Sequence, residues 1–143
     1  MKLKYVLVFL LLNSNLSFAS ELTAKVKEYF EAQKAVEHKN SKESDVEHLL
    51  SLLTESATFE HPNYGAVQTK NEYKKGLLYY LGKYGKCDIQ VQKVIEGLNA
   101  VTVQYLHPCI DQAGNADVAG STQKLVTLFE FKNNKINLIR HYF

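Results

Sequence analysis

The sequence is poor in the residues and motifs that mark the common catalytic centres. Its 143 residues include only two cysteines, with no Cys-x-x-Cys pair, and only seven glycines. It has no glycine-rich phosphate loop, no nucleophile elbow and no cluster of four ligands at zinc-site spacing. These absences argue against a redox-active dithiol, a nucleotide-phosphate cradle and a sequence-local zinc site. We therefore expect neither a metal nor a cofactor.

Basic charge of the kind that binds nucleic acid is also missing. The chain carries 17 Lys and Arg against 15 Asp and Glu, and two of the lysines, Lys2 and Lys4, lie near its start. Without those two the chain is formally neutral, and no basic run interleaved with aromatic residues remains. We expect no nucleic-acid partner. The length and the 45% of apolar residues indicate one globular domain.

The first nineteen residues have the anatomy of a secretory signal peptide. A short basic start precedes the apolar run 5–12, and small residues Ser17 and Ala19 precede a cleavage position before Ser20. The alternative is a membrane anchor, but a spanning helix needs about 20 apolar residues. We predict a signal peptide at 1–19, a mature domain at 20–143 without a membrane span, and a periplasmic or secreted location.

The first half of the mature chain is predicted to be mostly helical. Apolar residues recur at helical spacing over 22–36, and Ser44 with Glu47 forms a capping-box pattern at the start of a second helix. A short strand is expected at 57–61 before Pro62. Thr69 and Glu72 repeat the capping-box pattern at the start of a third helix, which ends at Gly82 or Gly85.

The second half is predicted to be strands. Segments 88–95 and 100–106 form one hairpin, and segments 122–131 and 135–143 form another across Asn133 and Asn134. A long loop at 110–121 separates the hairpins. Helices followed by strands indicate an α+β fold, in which three helices cover one face of a curved antiparallel sheet.

The first hairpin brings the two cysteines together. Pairing residues whose numbers sum to 196 places Val91 opposite Tyr105 and Cys87 opposite Cys109. Directly opposed residues in an antiparallel sheet are close enough for a disulfide. We expect the Cys87–Cys109 bond, with two buried free thiols as the alternative.

The second hairpin presents two polar residues whose direction depends on the register. Pairing residues whose numbers sum to 267 places Thr127 opposite Arg140, on the more apolar face. Arg140 would then point into the fold and bind a carboxylate or phosphate. A single bulge would instead turn His141 inward, because a shift of one residue exchanges the two faces.

The order of elements and three sequence stretches resemble the nuclear transport factor 2-like superfamily, which includes ketosteroid isomerases and SnoaL-like polyketide cyclases. The stretches are VKEY at 26–29, LLSLLTESATFEHP at 49–62, and the closing hairpin with FEF at 129–131 and KI at 135–136. The resemblance implies a cone-shaped sheet with an apolar pocket and often a dimer contact on the outer sheet face. It therefore implies a homodimer.

The resemblance also implies roles for individual residues. In ketosteroid isomerases a carboxylate before a proline moves the proton; His61, before Pro62, stands at that place here. Tyr29 is similar in position to the tyrosine that stabilises the oxyanion. Thr127 stands where those enzymes have a second, aspartic donor, and this departure argues against steroid isomerisation itself.

These residues lead to two functional hypotheses. The first is an exported protein that binds a small apolar or carbonyl-containing molecule, with cofactor-free proton transfer by His61 and charge stabilisation by Tyr29. The alternative is a non-catalytic binding or protein-interaction domain whose cone is filled by side chains. The residues expected to contact the ligand are Phe59, Tyr64, Tyr105, Thr127, Arg140 and His141.

Overall fold

The computed structural model describes residues 20–143, so the predicted signal peptide at 1–19 lies outside the described residues. Residues 20–143 form four α-helices and eight β-strands, with a 3₁₀ turn at Pro62–Tyr64. In chain order the elements are α1 (Glu21–Val36), α2 (Glu43–Ser51), β1 (Leu53–His61), β2 (Ala66–Thr69), α3 (Lys70–Tyr80), β3 (Lys86–Cys87), β4 (Gln90–Glu96), β5 (Ala100–Leu106), β6 (Cys109–Ile110), α4 (Val118–Thr122), β7 (Leu125–Lys132) and β8 (Lys135–Tyr142). The predicted α+β class is confirmed.

Helix starts follow from local capping. The hydroxyl of Thr69 accepts from the Glu72 amide and the Glu72 carboxylate accepts from the Thr69 amide, so the predicted capping box of α3 is confirmed. The predicted box of Ser44 and Glu47 is wrong. Helix α2 begins earlier, and its Asp45 carboxylate accepts from the Lys42 amide at 2.7 Å.

One six-stranded sheet holds most of the strands, in the order β2-β1-β8-β7-β5-β4. Strands β1 and β8 are parallel, and the other neighbours are antiparallel. Strands β3 and β6 form a separate two-stranded ribbon. The curved sheet is not closed as a barrel, and the helices of the first half lie against its concave face.

The register of β7 and β8 contradicts the predicted pairing of Thr127 with Arg140. An irregularity beside Phe131 shifts the strands, so that Thr127 lies opposite His141 and Leu128 opposite Arg140. A one-residue shift exchanges faces. The bulge considered as the alternative is therefore the observed arrangement, and the positive φ angles of Asn133 and Asn134 make the turn.

The hairpin of β4 and β5 agrees with the prediction over its first part. Val91 lies opposite Tyr105, and the Cys87–Cys109 disulfide is formed between β3 and β6. Beyond Val91 a bulge shifts the register, so that Ile95 lies opposite Thr102. The strand predicted at 88–95 corresponds to β4, which begins two residues later at Gln90, and Cys87 lies in the separate strand β3.

Two further predicted boundaries are wrong. Strand β1 begins at Leu53 rather than at residue 57. Strand β2 was not predicted, because apolar and polar residues do not alternate strongly along its four residues. The segment at 110–121 is not structureless. It holds the end of β6 and most of α4, and the Gly120 carbonyl accepts a hydrogen bond from the His107 amide.

The hydrophobic core lies between the helices and the concave sheet face. Its most deeply buried side chains come from α2, β1, β5, β7 and β8: Val46, Leu49, Leu53, Val101, Val103, Phe129, Ile136 and Ile139. Among residues 20–143 no helix combines the length and the apolar character that a membrane crossing requires.

Candidate functional site

A small pocket lies in the cone between α1, α3 and the sheet. Its volume is about 40 Å³. The lining is mostly aromatic, with a few polar groups: Tyr29, Phe30, Gln33, Phe59, Tyr73, Tyr105, Thr127, Phe129, Ile139 and His141. Apolar walls with few convergent polar groups are typical of small-molecule sites. This cavity is the candidate site.

Two tyrosine hydroxyls meet at the cavity wall. Tyr29 on α1 and Tyr73 on α3 are both buried, and their hydroxyl oxygens lie 2.7 Å apart. Burial raises the pKa of both phenols, most strongly that of Tyr29, so both stay protonated at neutral pH. One proton joins the two oxygens, which leaves the other hydroxyl proton free to be donated.

Phe59 connects this pair to the mouth of the cone. Its ring stacks on Tyr73, with centroids 4.3 Å apart and an interplanar angle of 7°. The other neighbour of Phe59 is His61, at a centroid distance of 4.8 Å. Phe59 and His61 lie on the same side of β1, as predicted from their two-residue spacing.

His61 has a buried nitrogen without a hydrogen-bond partner. Its Nδ1 is inaccessible to solvent and unpaired. Desolvation lowers the pKa of the imidazole, so His61 is neutral at pH 7. An unsatisfied buried polar atom is costly. His61 does not line the cavity, but its ring lies beside Phe59 and His141, which do, and its hydrogen-bonding capacity is left open.

A second imidazole lies beside His61 and belongs to a short hydrogen-bond network. The ring centroids of His61 and His141 are 5.4 Å apart. His141 Nδ1 lies 2.6 Å from the Thr127 hydroxyl and 3.3 Å from the Tyr105 hydroxyl. Burial, followed by the nearby His61 and His107, lowers the pKa of His141 to about 4.

Arg140 does not line the cone, which corrects the prediction for this residue. Its Nε donates to the Glu60 carboxylate at 2.7 Å, on the face of β8 opposite to His141. The physical reason is the bulge in the last hairpin. A ligand in the cone would meet His141, and the predicted carboxylate or phosphate clamp by Arg140 is absent there.

The mouth of the cone is covered by aromatic side chains that are largely exposed. Tyr64 is 69% exposed and Phe143 is 48% exposed, and both rings contact His61. The Asn63 side chain donates to the Phe143 carbonyl and holds the end of the chain over the turn. Tyr64 therefore lies outside the cavity in this structure, at its rim.

The size of the cavity limits what it holds without rearrangement. Ligand pockets usually measure about 300–1,000 Å³, and a water molecule takes about 30 Å³. About 40 Å³ accommodates water alone. A larger open groove of about 300 Å³ lies between α1 and β4, lined by apolar side chains such as Val91 and Val94, with few polar groups. Polar groups make up a larger share of the lining in the cone than in this groove.

The sequence indicated several members of the site but not their contacts. Tyr73 is not among the predicted site residues, yet it is the hydrogen-bond partner of Tyr29 and the stacking partner of Phe59. Gln33 on α1 also lines the cavity and is not among them either. In both cases helical spacing gave the face, but not the neighbour across the cone.

Comparisons with known proteins agree with this architecture. The sequence model of the SnoaL-like domain matches residues 26–139. A search of curated proteins found no match.

The solved structures that match share the fold at low sequence identity. An NTF2-like protein from Anabaena variabilis is 18% identical and superposes with a TM-score of 0.67, over 90% of this chain and 94% of that one. An NTF2-like protein of unknown function from Burkholderia pseudomallei is 17% identical, with a TM-score of 0.65 over 87% and 91% of the two chains. An LEH-like epoxide hydrolase from M. tuberculosis is 15% identical, with a TM-score of 0.65 over 86% of this chain and 82% of that one.

Proposed function

The chain belongs to the SnoaL-like domain family, and from this we propose that it binds a small, mostly apolar molecule carrying a carbonyl group inside the cone. The observation that carries the proposal is the hydroxyl pair of Tyr29 and Tyr73 in an aromatic-lined cavity. The unshared proton of this pair is a donor for a carbonyl oxygen in dry surroundings, where such a bond is strongest.

Binding in the proposed mode requires the cone to open at its mouth. Tyr64 and Phe143 cover the mouth of the cone and pack only weakly against the core, because both side chains are substantially exposed. Their displacement, together with rotation of the His61 ring, would join the small cavity to solvent. The unpaired Nδ1 of His61 would then find its partner in the ligand.

We extend the proposal to cofactor-free proton transfer of the isomerase, cyclase or dehydratase type. A neutral imidazole accepts a proton, and the lowered pKa of His61 keeps it in that form at neutral pH. Tyr29, with its hydroxyl kept protonated by burial, would stabilise the negative charge that develops on the carbonyl oxygen. The M. tuberculosis structure with this fold is named as an LEH-like epoxide hydrolase, which is an enzyme.

A second candidate function rests on the small volume of the cavity. A cone with about 40 Å³ of free space is nearly filled by its own side chains, as in a protein-interaction domain. Its surface for a partner or a second copy would be the outer sheet face, where Thr102 and Gln104 alternate with the buried side of β5. Sedimentation of the purified protein distinguishes a homodimer from a monomer.

The experiment that tests the first proposal measures binding of chosen probes by native mass spectrometry and equilibrium dialysis. The probes are an alicyclic ketone, an aromatic ketone and a steroidal enone, each compared with its hydrocarbon. We expect saturable binding of at least one ketone. Tyr29→Phe should weaken that binding about fivefold, which corresponds to one hydrogen bond of about 1 kcal/mol.

The matched control is Tyr79→Phe, because Tyr79 is on α3 and is 65% exposed. Its affinity should equal that of the wild type. If no ketone binds at saturating concentration, or if Tyr29→Phe binds as tightly as Tyr79→Phe, the proposal is wrong and the filled-cone function is favoured.

We also propose that the protein performs this function after export, in the periplasm or the medium. The support is the signal-peptide pattern of residues 1–19 together with the disulfide, since disulfides persist in oxidising compartments.

A further inference from the structure

Three metal-ligating side chains, those of Cys87, His107 and Cys109, lie together at the disulfide, and a fourth, that of Glu37, contacts the histidine of this group. Cys87 and Cys109 face each other on β3 and β6, and His107 follows the end of β5. The fourth member is Glu37, the residue that ends α1. The elements that carry these residues are far apart in sequence, which is why the spacing alone did not indicate a site.

The side chains of the cluster converge on one nitrogen atom. His107 Nε2 lies 3.9 Å from Cys109 Sγ and 2.7 Å from a Glu37 carboxylate oxygen. The ligand atoms of Cys87, His107 and Cys109 all lie within 4.8 Å of one another. The side chains of His107 and Glu37 are only 19% and 15% exposed, and Cys87 is 3% exposed. The cluster is therefore compact and largely shielded from water.

This arrangement differs from a cysteine–histidine–carboxylate relay. In such a relay the carboxylate binds one ring nitrogen and the sulfur faces the other. Here the carboxylate and the sulfur approach the same nitrogen, Nε2. Groups that converge on one point in this way share a single small cation between them.

We propose that reduction of the Cys87–Cys109 disulfide converts this cluster into a tetrahedral zinc site with Cys87, Cys109, His107 and Glu37 as ligands. Zinc takes thiolate, imidazole and carboxylate ligands at about 2.0–2.3 Å, which places the ligand atoms about 3.5 Å apart. The distance of 3.9 Å between His107 Nε2 and Cys109 Sγ is already close to that value. Breaking the S–S bond lets the two sulfurs separate to the same spacing.

The conversion is balanced with a dithiol as the reductant. The dithiol is oxidised to its own disulfide and supplies two electrons and two protons, so that Cys87 and Cys109 become thiols. Zinc then displaces those two thiol protons and binds the lone pair of His107 Nε2, while the ring keeps its proton on Nδ1. The site exists only in the reduced protein, so it links metal binding to the redox state.

The test uses the purified protein before and after anaerobic reduction, with Co²⁺ as a spectroscopic substitute for Zn²⁺. We expect no binding by the oxidised form. The reduced form should bind one Co²⁺ per chain, with the intense visible bands of a tetrahedral site and the near-ultraviolet bands of thiolate ligation. Zn²⁺ should displace the Co²⁺ and remove these bands.

Variants identify the ligands. Changes to residues that contact a metal ligand without binding the metal weaken binding by roughly 10–100-fold. Cys87→Ser and His107→Gln remove ligands, so each should weaken Co²⁺ binding by more than that. Glu37→Gln should weaken binding while the thiolate bands remain. The matched control is His48→Gln, because His48 is an exposed histidine on α2.

A measurement on the unaltered chain keeps the test independent of variant folding. Binding of Zn²⁺ should shift the His107 Nε2 resonance and protect both cysteines from alkylation. The proposal is overturned if the reduced, folded protein binds no Co²⁺, if His107→Gln binds it as tightly as the wild type, or if the reduced chain unfolds and Zn²⁺ does not restore it.

Discussion

Thr127 on β7 and His141 on β8 lie directly opposite each other, and their side chains are joined by a 2.6 Å hydrogen bond inside the cone. The Tyr105 hydroxyl is the third member, at 3.1 Å from the Thr127 hydroxyl. The network turns a titratable imidazole inward at the position where the regular register would have placed Arg140. The presence of the His141 imidazole inside the cone therefore follows from one bulge in the last hairpin.

Acid should destabilise the folded protein through His141. Its pKa is near 6.5 in the unfolded chain and about 4 in the folded protein. Unfolding therefore takes up a proton between these values, and the contribution is fully present above about pH 6.5 and is lost as the pH falls toward 4. We expect His141 to account for a loss of about 2 kcal/mol in the free energy of unfolding between pH 7 and pH 5.

Denaturant titrations of the wild type and His141→Gln at both pH values measure this loss. The variant should lack it, and the difference between the two proteins removes the contributions of other groups. His48→Gln, which changes an exposed histidine, should behave as the wild type. Equal pH dependence in the wild type and His141→Gln would show that His141 is not held neutral by burial.

The two hydroxyls of Tyr29 and Tyr73 should be energetically coupled. Tyr29→Phe or Tyr73→Phe leaves the partner hydroxyl buried without its hydrogen bond, which costs about 1–3 kcal/mol. The double variant should lose less than the sum of the single changes, because the second change removes the orphaned group. Chemical denaturation of all four proteins measures the coupling, and strict additivity would contradict the contact.

Arg140 should be dispensable for ligand binding. Its ion pair with Glu60 lies on the outer face, and the two side chains are 33% and 18% exposed. Arg140→Ala should lower the free energy of unfolding by about 1 kcal/mol or less. The Arg140→Ala variant should bind a ketone probe with the affinity of the wild type, and His61→Ala is measured beside it for comparison. Loss of affinity in Arg140→Ala alone would restore Arg140 to the site.

The mature form is predicted to begin at Ser20 with the disulfide closed. Intact-mass analysis of the protein expressed with its leader and recovered from the periplasm or the medium measures both features. The mass should be that of residues 20–143 minus two hydrogen atoms. Retention of the first nineteen residues would contradict the signal peptide, and a reduced mass would contradict the bond in that compartment.

Periodicity and capping predicted much of the fold, because each depends on neighbours along the chain. Helical spacing gave α1, and the Thr69 and Glu72 pattern marked the start of α3. Counting back from the hairpin turn gave the opposed positions of Cys87 and Cys109 because two one-residue differences cancel. The pairing at the turn is shifted by one residue from the prediction, and the bulge between Val91 and Lys93 shifts it back.

Bulges and contacts between distant elements were beyond this reasoning. The irregularity beside Phe131 leaves no mark in the alternation of β8, so the direction of Arg140 and His141 stayed open until the structure fixed it. The pairs Tyr29–Tyr73 and Glu37–His107 join residues 44 and 70 positions apart. Such pairs depend on how the helices are placed over the sheet, and a single sequence does not encode that in local spacing.

The central claim is that a small carbonyl compound occupies the cone. The most direct measurement is the set of nuclear Overhauser effects between a ketone probe and the methyl groups of the labelled protein. The account predicts contacts to the methyl groups of Thr127 and Ile139, which line the cavity. Contacts confined to Val91 and Val94 would place the ligand in the open groove between α1 and β4, and no contacts at saturating probe would leave the cone filled; either result contradicts the claim.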